Sequence, residues 1–321
     1  MRKINIFLGL LLSLFWSCEP IQNTPESVEI FQPNAPFMTV LGIAQDAGYP
    51  QANCQKECCK PLWKDPSKRK MVSCLAVVDP TANAAWILDA TPDFKDQLYQ
   101  VQHIIPNQVL DLKGILLTHA HMGHYTGLMH LGREAMGAQS VPVYAMPRLK
   151  NYLENNGPWS QLVELNNINI MAIKSDSSFA LNANILVTPL EVPHRDEFSE
   201  TVGYLVTANA KKALFIPDID KWQLWEKDIL AYIKDVDVAY LDGSFYQNGE
   251  IPGRDMSEIP HPFIEESMAQ FSALTATEKA KVNFIHFNHT NPVLRADSDA
   301  RKTVLAAGYQ IAEEGDVFLF E

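Results

Sequence analysis

The segment ILLTHAHMGHYTGL, residues 115–128, places His119, His121 and His124 within six positions, directly after an apolar run. That run reads as a buried strand, and a period of two then points the His119 and His121 rings to one face. His124 follows in the turn ahead of a helix, near enough to face the same point. Imidazole is a common ligand for zinc and similar divalent cations, and three rings converging at a strand end are a costly arrangement without one. A lone histidine is more often a helix cap or a hydrogen-bonding group in the core, whereas a metal site needs ligands clustered in this way.

Along the rest of the chain, short runs rich in branched and aromatic residues predict strands: FMTVLGI, VSCLAVVD, AAWILDA, GILLTHA, ANILVTP, TVGYLVTA, KALFIPD, DVAYLDG and VNFIHFN. Apolar positions three or four apart predict helices near 94–102, 125–137, 147–155, 221–234, 262–273 and 298–307. Early strands follow one another with few helices between them, and later ones alternate with helices. The order favours an α/β chain in which two sheets pack together with helices outside.

The N-terminus carries a different signal. Residues 1–17, MRKINIFLGLLLSLFWS, set Arg2 and Lys3 ahead of an apolar run, too short for a bilayer span and suited to a secretory signal. Ser17–Cys18 loosely resembles a lipobox. Cleavage there makes Cys18 a lipidated N-terminus; the alternative is a plain signal peptide cut near Ser17. Either outcome exports the protein to the cell envelope, periplasm or outer membrane. Residues 18–36 then form anchor and tether, rich in proline and polar residues, and residues 37–321 the folded domain. Without Arg2 and Lys3 the chain has 24 basic against 38 acidic residues, a net charge near −14. Such a surface repels polyphosphate, so nucleic acid is excluded as a partner and a small molecule is expected.

THAHMGH resembles the His-x-His-x-Asp-His signature of the metallo-β-lactamase fold, an αββα four-layer sandwich of two mixed sheets packed face to face. The resemblance implies that His194 is the third histidine of a first metal site, Asp218 the carboxylate that bridges two metals, and His286 the last ligand. TVLGIAQDAGYPQANC, ILDATPDFKDQL, DVAYLDGSFY and FIHFNHTNPVL are similar to the pyrroloquinoline quinone biosynthesis protein B group of the same fold. That group typically lacks the first two histidines, so the chain looks like a relative with the hydrolase-type first site restored.

Gly123 stands where the hydrolase signature has aspartate, a ligand of the second metal. The resemblance therefore implies one firm zinc site, His119, His121, His194 and Asp218, and a thinner second one at His124, His286 and Asp218, with iron or manganese as alternatives. Asp220 is a candidate to replace the missing aspartate as proton acceptor, beside a surface-turn reading. Asp242 matches a position behind a metal-bound histidine, and Asp89 one near the site with a structural role.

Cys54, Cys58 and Cys59 fall within six residues and read equally as a structural metal site or a disulfide partner set. His261, in a proline-flanked loop, is a candidate fourth ligand, part of the substrate mouth, or a plain loop histidine. Cys74 lies in an apolar strand as a buried residue, and His289 either lines the cleft or caps the next turn. Three functions stay open: a metal-dependent hydrolase of a small ester, phosphodiester, lactone or amide; an oxidative enzyme with a redox metal; or a non-catalytic lipoprotein that binds a metal or ligand.

Overall fold

Runs such as FMTVLG and CLAVVD are buried at every position, which strands covered on both faces require. The computed structural model describes residues 31–321; the expected signal segment, Cys18 and most of the tether lie outside them. Among these residues one sheet contains β1 (Phe37–Gly42), β2 (Cys74–Asp79), β3 (Ala84–Leu88), β4 (Asp111–Leu116), β5 (Val141–Ala145), β6 (Ile168–Ala172) and β14 (Val317–Leu319), in the order β14-β1-β2-β3-β4-β5-β6. The second contains β7 (Phe179–Ala180), β8 (Ile185–Glu191), β9 (Val202–Ala208), β10 (Lys211–Ile216), β11 (Val238–Asp242), β12 (Val282–Ile285) and β13 (Gln310–Ile311), in the order β13-β12-β11-β10-β9-β8-β7.

The period of two assigns each strand residue to a layer. Met38 and Val40 of β1, Leu75 and Val77 of β2, and Trp86 and Leu88 of β3 join Val187, Tyr204, Val206, Leu214, Ile216 and Phe284 of the other sheet in one buried cluster. Truncating a member as large as Trp86 to alanine removes about 3–5 kcal/mol of stability. Helices cover the outer faces: α1 (Phe94–Gln102) against β1, β3 and β4 and α3 (Pro147–Asn155) and α4 (Trp159–Glu164) against β6 on the first sheet, and the helix Asp299–Ala306 against β13 on the second. This is the four-layer αββα sandwich that the sequence predicts.

Strands β3 to β6 are parallel, as are β10 to β13. β1 and β8 each reach their sheet's parallel set through one antiparallel neighbour, so they run in the same sense. The carboxyl ends of β1, β3, β4, β8, β10, β11 and β12 are therefore where loops can bring ligands together, the usual location of sites in such sheets. Two expectations are corrected in detail. β4 stops at Leu116, so His119 and His121 follow the strand instead of ending it, and the helix expected at 125–137 is the single turn α2 (Met122–Tyr125) followed by a 3-10 segment, Thr126–Leu131. No helix among the described residues is long and apolar enough to cross a membrane.

Candidate metal centre

After β4 the chain is pinned from three directions. The Thr118 backbone N–H donates to Asp89 Oδ1 at 2.8 Å, the Val202 N–H donates to the Thr118 carbonyl at 3.1 Å, and the Ala120 N–H donates to Ser199 Oγ at 2.8 Å. This fixes the backbone that carries His119 and His121. The Thr118 hydroxyl donates to Asp89, so its lone pair is free to accept from His119 Nδ1 at 2.9 Å. His119 Nε2 is then unprotonated and turned inward, 3.2 Å from Asp218 Oδ2 and 2.8 Å from His121 Nδ1. Burial and the neighbouring His124 charge hold the His119 pKa well below the usual value.

Each of the other rings is anchored on one nitrogen in the same manner. His124 Nδ1 meets Asp89 Oδ2 at 2.7 Å, His194 Nδ1 meets Asp220 Oδ1 at 2.9 Å, and His286 Nδ1 meets Ser244 Oγ at 2.9 Å. Such outer partners select the tautomer and the ring orientation. Their opposite Nε2 atoms, together with Asp218 Oδ1, are buried and have no hydrogen-bond partner. His194 Nε2 lies 3.3 Å from Asp218 Oδ1, and His124 Nε2 lies 3.7 Å from Asp218 Oδ2. Burial opposes a proton on His194, but the charges of Asp218 and Asp220 outweigh it and raise the ring to about 10. Burial likewise opposes charge on Asp218, and the surrounding His194, His261 and His286 hold it well below the carboxylate range.

The donor set fits a divalent cation. One ligand atom each from His119, His121, His194 and Asp218 lies within 4.8 Å of the others, as do those of Asp46, His124 and His286. Two nitrogen or oxygen ligands on a tetrahedral ion with bonds near 2.0–2.1 Å stand about 3.3 Å apart, close to the contacts that Asp218 makes. His286 and Asp89 both adopt left-handed backbone, with φ of 66° and 72°. For residues with a side chain this costs on the order of 1–3 kcal/mol each, a strain that clusters at functional sites.

Several expectations need correction. Asp220 does not replace the signature aspartate; it sits behind His194 and also donates its own N–H to the Pro193 carbonyl at 2.7 Å, closing the loop that presents that ring. Asp242 stands behind His261 instead of a predicted ligand: its Oδ2 meets His261 Nδ1 at 2.8 Å and its Oδ1 accepts from the Ser244 N–H. His261 is buried beside Asp218, 3.2 Å from Oδ1, and is no ligand of the cysteines. Asp89 keeps the structural role near the site expected of it, holding His124 by Nδ1.

The cysteine cluster is completed by His289, on the segment just past β12. Cys54, Cys58, Cys59 and Cys74 are free thiols, so no disulfide joins the described cysteines. Cys54–Cys58 and Cys58–Cys59 Sγ distances are both 3.8 Å, and two sulfurs on a tetrahedral zinc with 2.3 Å bonds stand about 3.8 Å apart. His289 Nδ1 is buried without a partner. The group fits a structural cation. The only sequence signal for His289 is its spacing of three residues from His286. Cys74 is fully buried in β2, as expected.

Sequence reasoning missed Asp46, in the loop after β1. Its Oδ1 is covered from solvent, 3.4 Å from His124 Nε2, and makes no hydrogen bond.

Residues 85–287 match the beta-lactamase superfamily domain. The chain belongs to that superfamily. It aligns with coenzyme PQQ synthesis protein B of Methylobacterium sp. (strain 4-46) at 26% identity, over 86% of this chain and 97% of that one. The protein of the same description from Xanthomonas oryzae pv. oryzae (strain MAFF 311018) is also 26% identical over 86% and 97%. Among solved structures, zinc-bound PqqB from Methylobacterium extorquens superposes with a TM-score of 0.74 at 23% identity, covering 88% of this chain and 99% of that one. A diphosphatase from the PhnP family gives 0.60 at 20% identity, over 88% and 96%. The chain is thus an enzyme of the metallo-β-lactamase fold, in its PqqB-like branch.

Proposed function

We propose that the chain is a metal-dependent hydrolase of a small ester, phosphodiester, lactone or amide, with zinc as the resident ion and iron or manganese as alternatives. The observation that carries this reading is the convergence of His124 Nε2, His194 Nε2, His286 Nε2 and Asp218 Oδ1, all buried and unpartnered. Leaving a buried polar atom unsatisfied costs roughly 1–3 kcal/mol, and cations held by the two groups, one with His194 and Asp218 and one with His124 and His286, remove that cost. A divalent cation held here supplies a water acidified to a pKa of about 7 and an electrophile for a carbonyl or phosphoryl oxygen.

The chain's own groups do the rest. Thr118, Asp89, Asp220 and Ser244 decide which nitrogen of each ring faces inward. Asp242 holds His261 by Nδ1 and, with Asp218, outweighs burial to raise that ring's pKa, leaving Nε2 to hand a proton to the leaving group. His121 and Asp46 are the members with solvent exposure, at 15% and 39% of their side chains, so substrate approaches on their side. There Glu197, 3.5 Å from His121, joins Arg148, Tyr152 and Phe198 in lining a cleft of about 430 Å³. A charged and aromatic wall of that size suits a small polar substrate. The N-terminal charge and apolar run support export with Cys18 as a lipid anchor, and the acidic surface supports a small-molecule partner over nucleic acid.

The test is a panel of ester, phosphodiester, lactone and β-lactam substrates with the zinc-loaded protein. One class is expected to turn over, with kcat reduced about 10²–10⁴-fold in His261→Ala and activity abolished in His194→Ala. Absence of turnover with zinc, manganese and iron alike refutes the reading. A second reading is the oxidation with a redox metal that the resemblance to the pyrroloquinoline quinone biosynthesis protein B group implies. Iron retained after anaerobic preparation, with oxygen-dependent turnover, distinguishes it.

A further inference from the structure

Gly123 leaves the signature without its aspartate, yet the space that a side chain at 123 would enter is filled. A Cβ built on Gly123 comes within 2.3 Å of Asp46 Oδ1 and 2.5 Å of Asp46 Cα. The carboxylate of Asp46 therefore begins where a carboxylate at 123 would begin, and the two residues cannot both carry side chains there. The approach is by backbone, and that backbone is held: the Gln45 N–H donates to the Phe287 carbonyl at 2.9 Å, the Gly48 N–H donates to the Gln45 carbonyl at 2.9 Å, and Ala44 bridges to Val72 and Phe287.

We propose that Asp46 supplies the carboxylate ligand of the second cation site, with His124 and His286, so that the ligand missing from the signature has moved to the loop after β1. This rests on the metal-centre reading above. In the metal-free chain Asp46 Oδ1 and His124 Nε2 stand at ion-pair distance, 3.4 Å, but the pair is not closed by a hydrogen bond and leaves His286 Nε2 unpartnered. Nor does Asp46 Oδ1 accept from any backbone N–H. It is a covered acceptor aimed at two covered Nε2 atoms, His124 and His286, and all three lie within 4.8 Å of one another. With His124 neutral, as a metal ligand must be, the carboxylate and the two Nε2 atoms make a three-ligand set that a divalent cation fits. Exchange of position between 46 and 123 keeps the donor set of the site while changing the element that carries it.

The decisive experiment is a zinc titration of the metal-stripped protein against a competing chelator, comparing Asp46→Asn, His124→Ala, His194→Ala and the exchanged pair Asp46→Gly/Gly123→Asp. Asp46→Asn is expected to weaken by at least about tenfold the same binding step that His124→Ala removes, while the His194-dependent step stays within about twofold. The exchanged pair is expected to recover the lost step to within about tenfold of the parent. Unchanged binding in Asp46→Asn, with the step still lost in His124→Ala, overturns the assignment and leaves the metal centre standing. If neither histidine variant alters binding, the metal-centre reading itself fails, and this proposal with it. Should Asp46→Asn not fold, Asp46→Ala decides: a weakened His124-dependent step with the His194-dependent step kept supports the assignment, and both steps unchanged overturns it.

Discussion

Asp89 and His124 meet through a 2.7 Å contact between Oδ2 and Nδ1, and both side chains are fully buried. The pairing leaves His124 Nε2 as the one ring nitrogen able to face the cation site. Asp89→Asn keeps the shape but replaces part of the acceptor with a donor, so the ring loses its tautomer control. Zinc affinity at the His124 step is expected to fall about 10–100-fold, and the His194-dependent step to fall less, through Thr118, which Asp89 also holds. Competition titration of the two proteins checks this; equal affinity contradicts it.

The His194 ring predicts a pH dependence with a definite sign. Its pKa in the metal-free fold is raised to about 10, against about 6.5 in an unfolded chain. A raised value stabilises the metal-free fold fully below pH 6.5, and this contribution is lost as pH climbs through about 10. A metal ligand must be neutral, so zinc displaces that proton over the same range. Zinc affinity at this site should therefore increase from pH 7 to pH 9, with proton release visible in calorimetry across buffers of different ionisation enthalpy. Asp220→Asn, which removes one of the charges that raise the ring, should flatten the rise. A parent protein with no pH dependence sinks the account.

The cysteine cluster and the second cation site share two chain segments. Cys54 lies eight residues after Asp46, and His289 lies three after His286. A cation on Cys54, Cys58, Cys59 and His289 would clamp both segments at once. Cys58→Ser should loosen them, weakening zinc at the His124 step several-fold while sparing the His194 step, and raising hydrogen exchange in residues 46–60 and 286–291. Equal weakening at both steps would instead mean general destabilisation.

Gly123→Ala isolates the steric half of the exchange. The new Cβ would meet Asp46 Oδ1 at 2.3 Å and Cα at 2.5 Å, and overpacking against a pinned backbone typically costs 1–3 kcal/mol. A lowered Tm is expected, and Asp46→Gly in the same chain should recover only part of it, because Asp46 Cα remains. No change in Tm rejects the close approach.

Much of this was readable from residue order. Continuous apolar runs marked β1, β2 and β9, and the apolar spacing marked helices at 94–102 and 147–155, because burial on two faces and on one stripe leave distinct periods. β5, VPVYA, escaped because it holds Pro142 and is only partly buried; it is a strand by virtue of pairing with Ile168–Ala172, a partner some 25 residues away. The ligands that the signature motif carries were legible, since they are near one another in the chain. Asp46 and His289 were not, because each gains its meaning only when the loop after β1 meets the turn at α2 or the segment after β12. Asp220 and Asp242 were recognised as relevant, but not the histidines that they hold, His194 and His261, a choice that loop closure makes and spacing does not.

The central claim is that the histidines and Asp218 hold a cation distinct from any on the cysteines. Anomalous scattering at the zinc edge from crystals of the metal-replete protein tests it most directly. The account predicts a peak within bonding distance, about 2.0–2.3 Å, of His119 Nε2, His121 Nδ1, His194 Nε2 and Asp218. A single peak at Cys54, Cys58, Cys59 and His289, with none at Asp218, would contradict it.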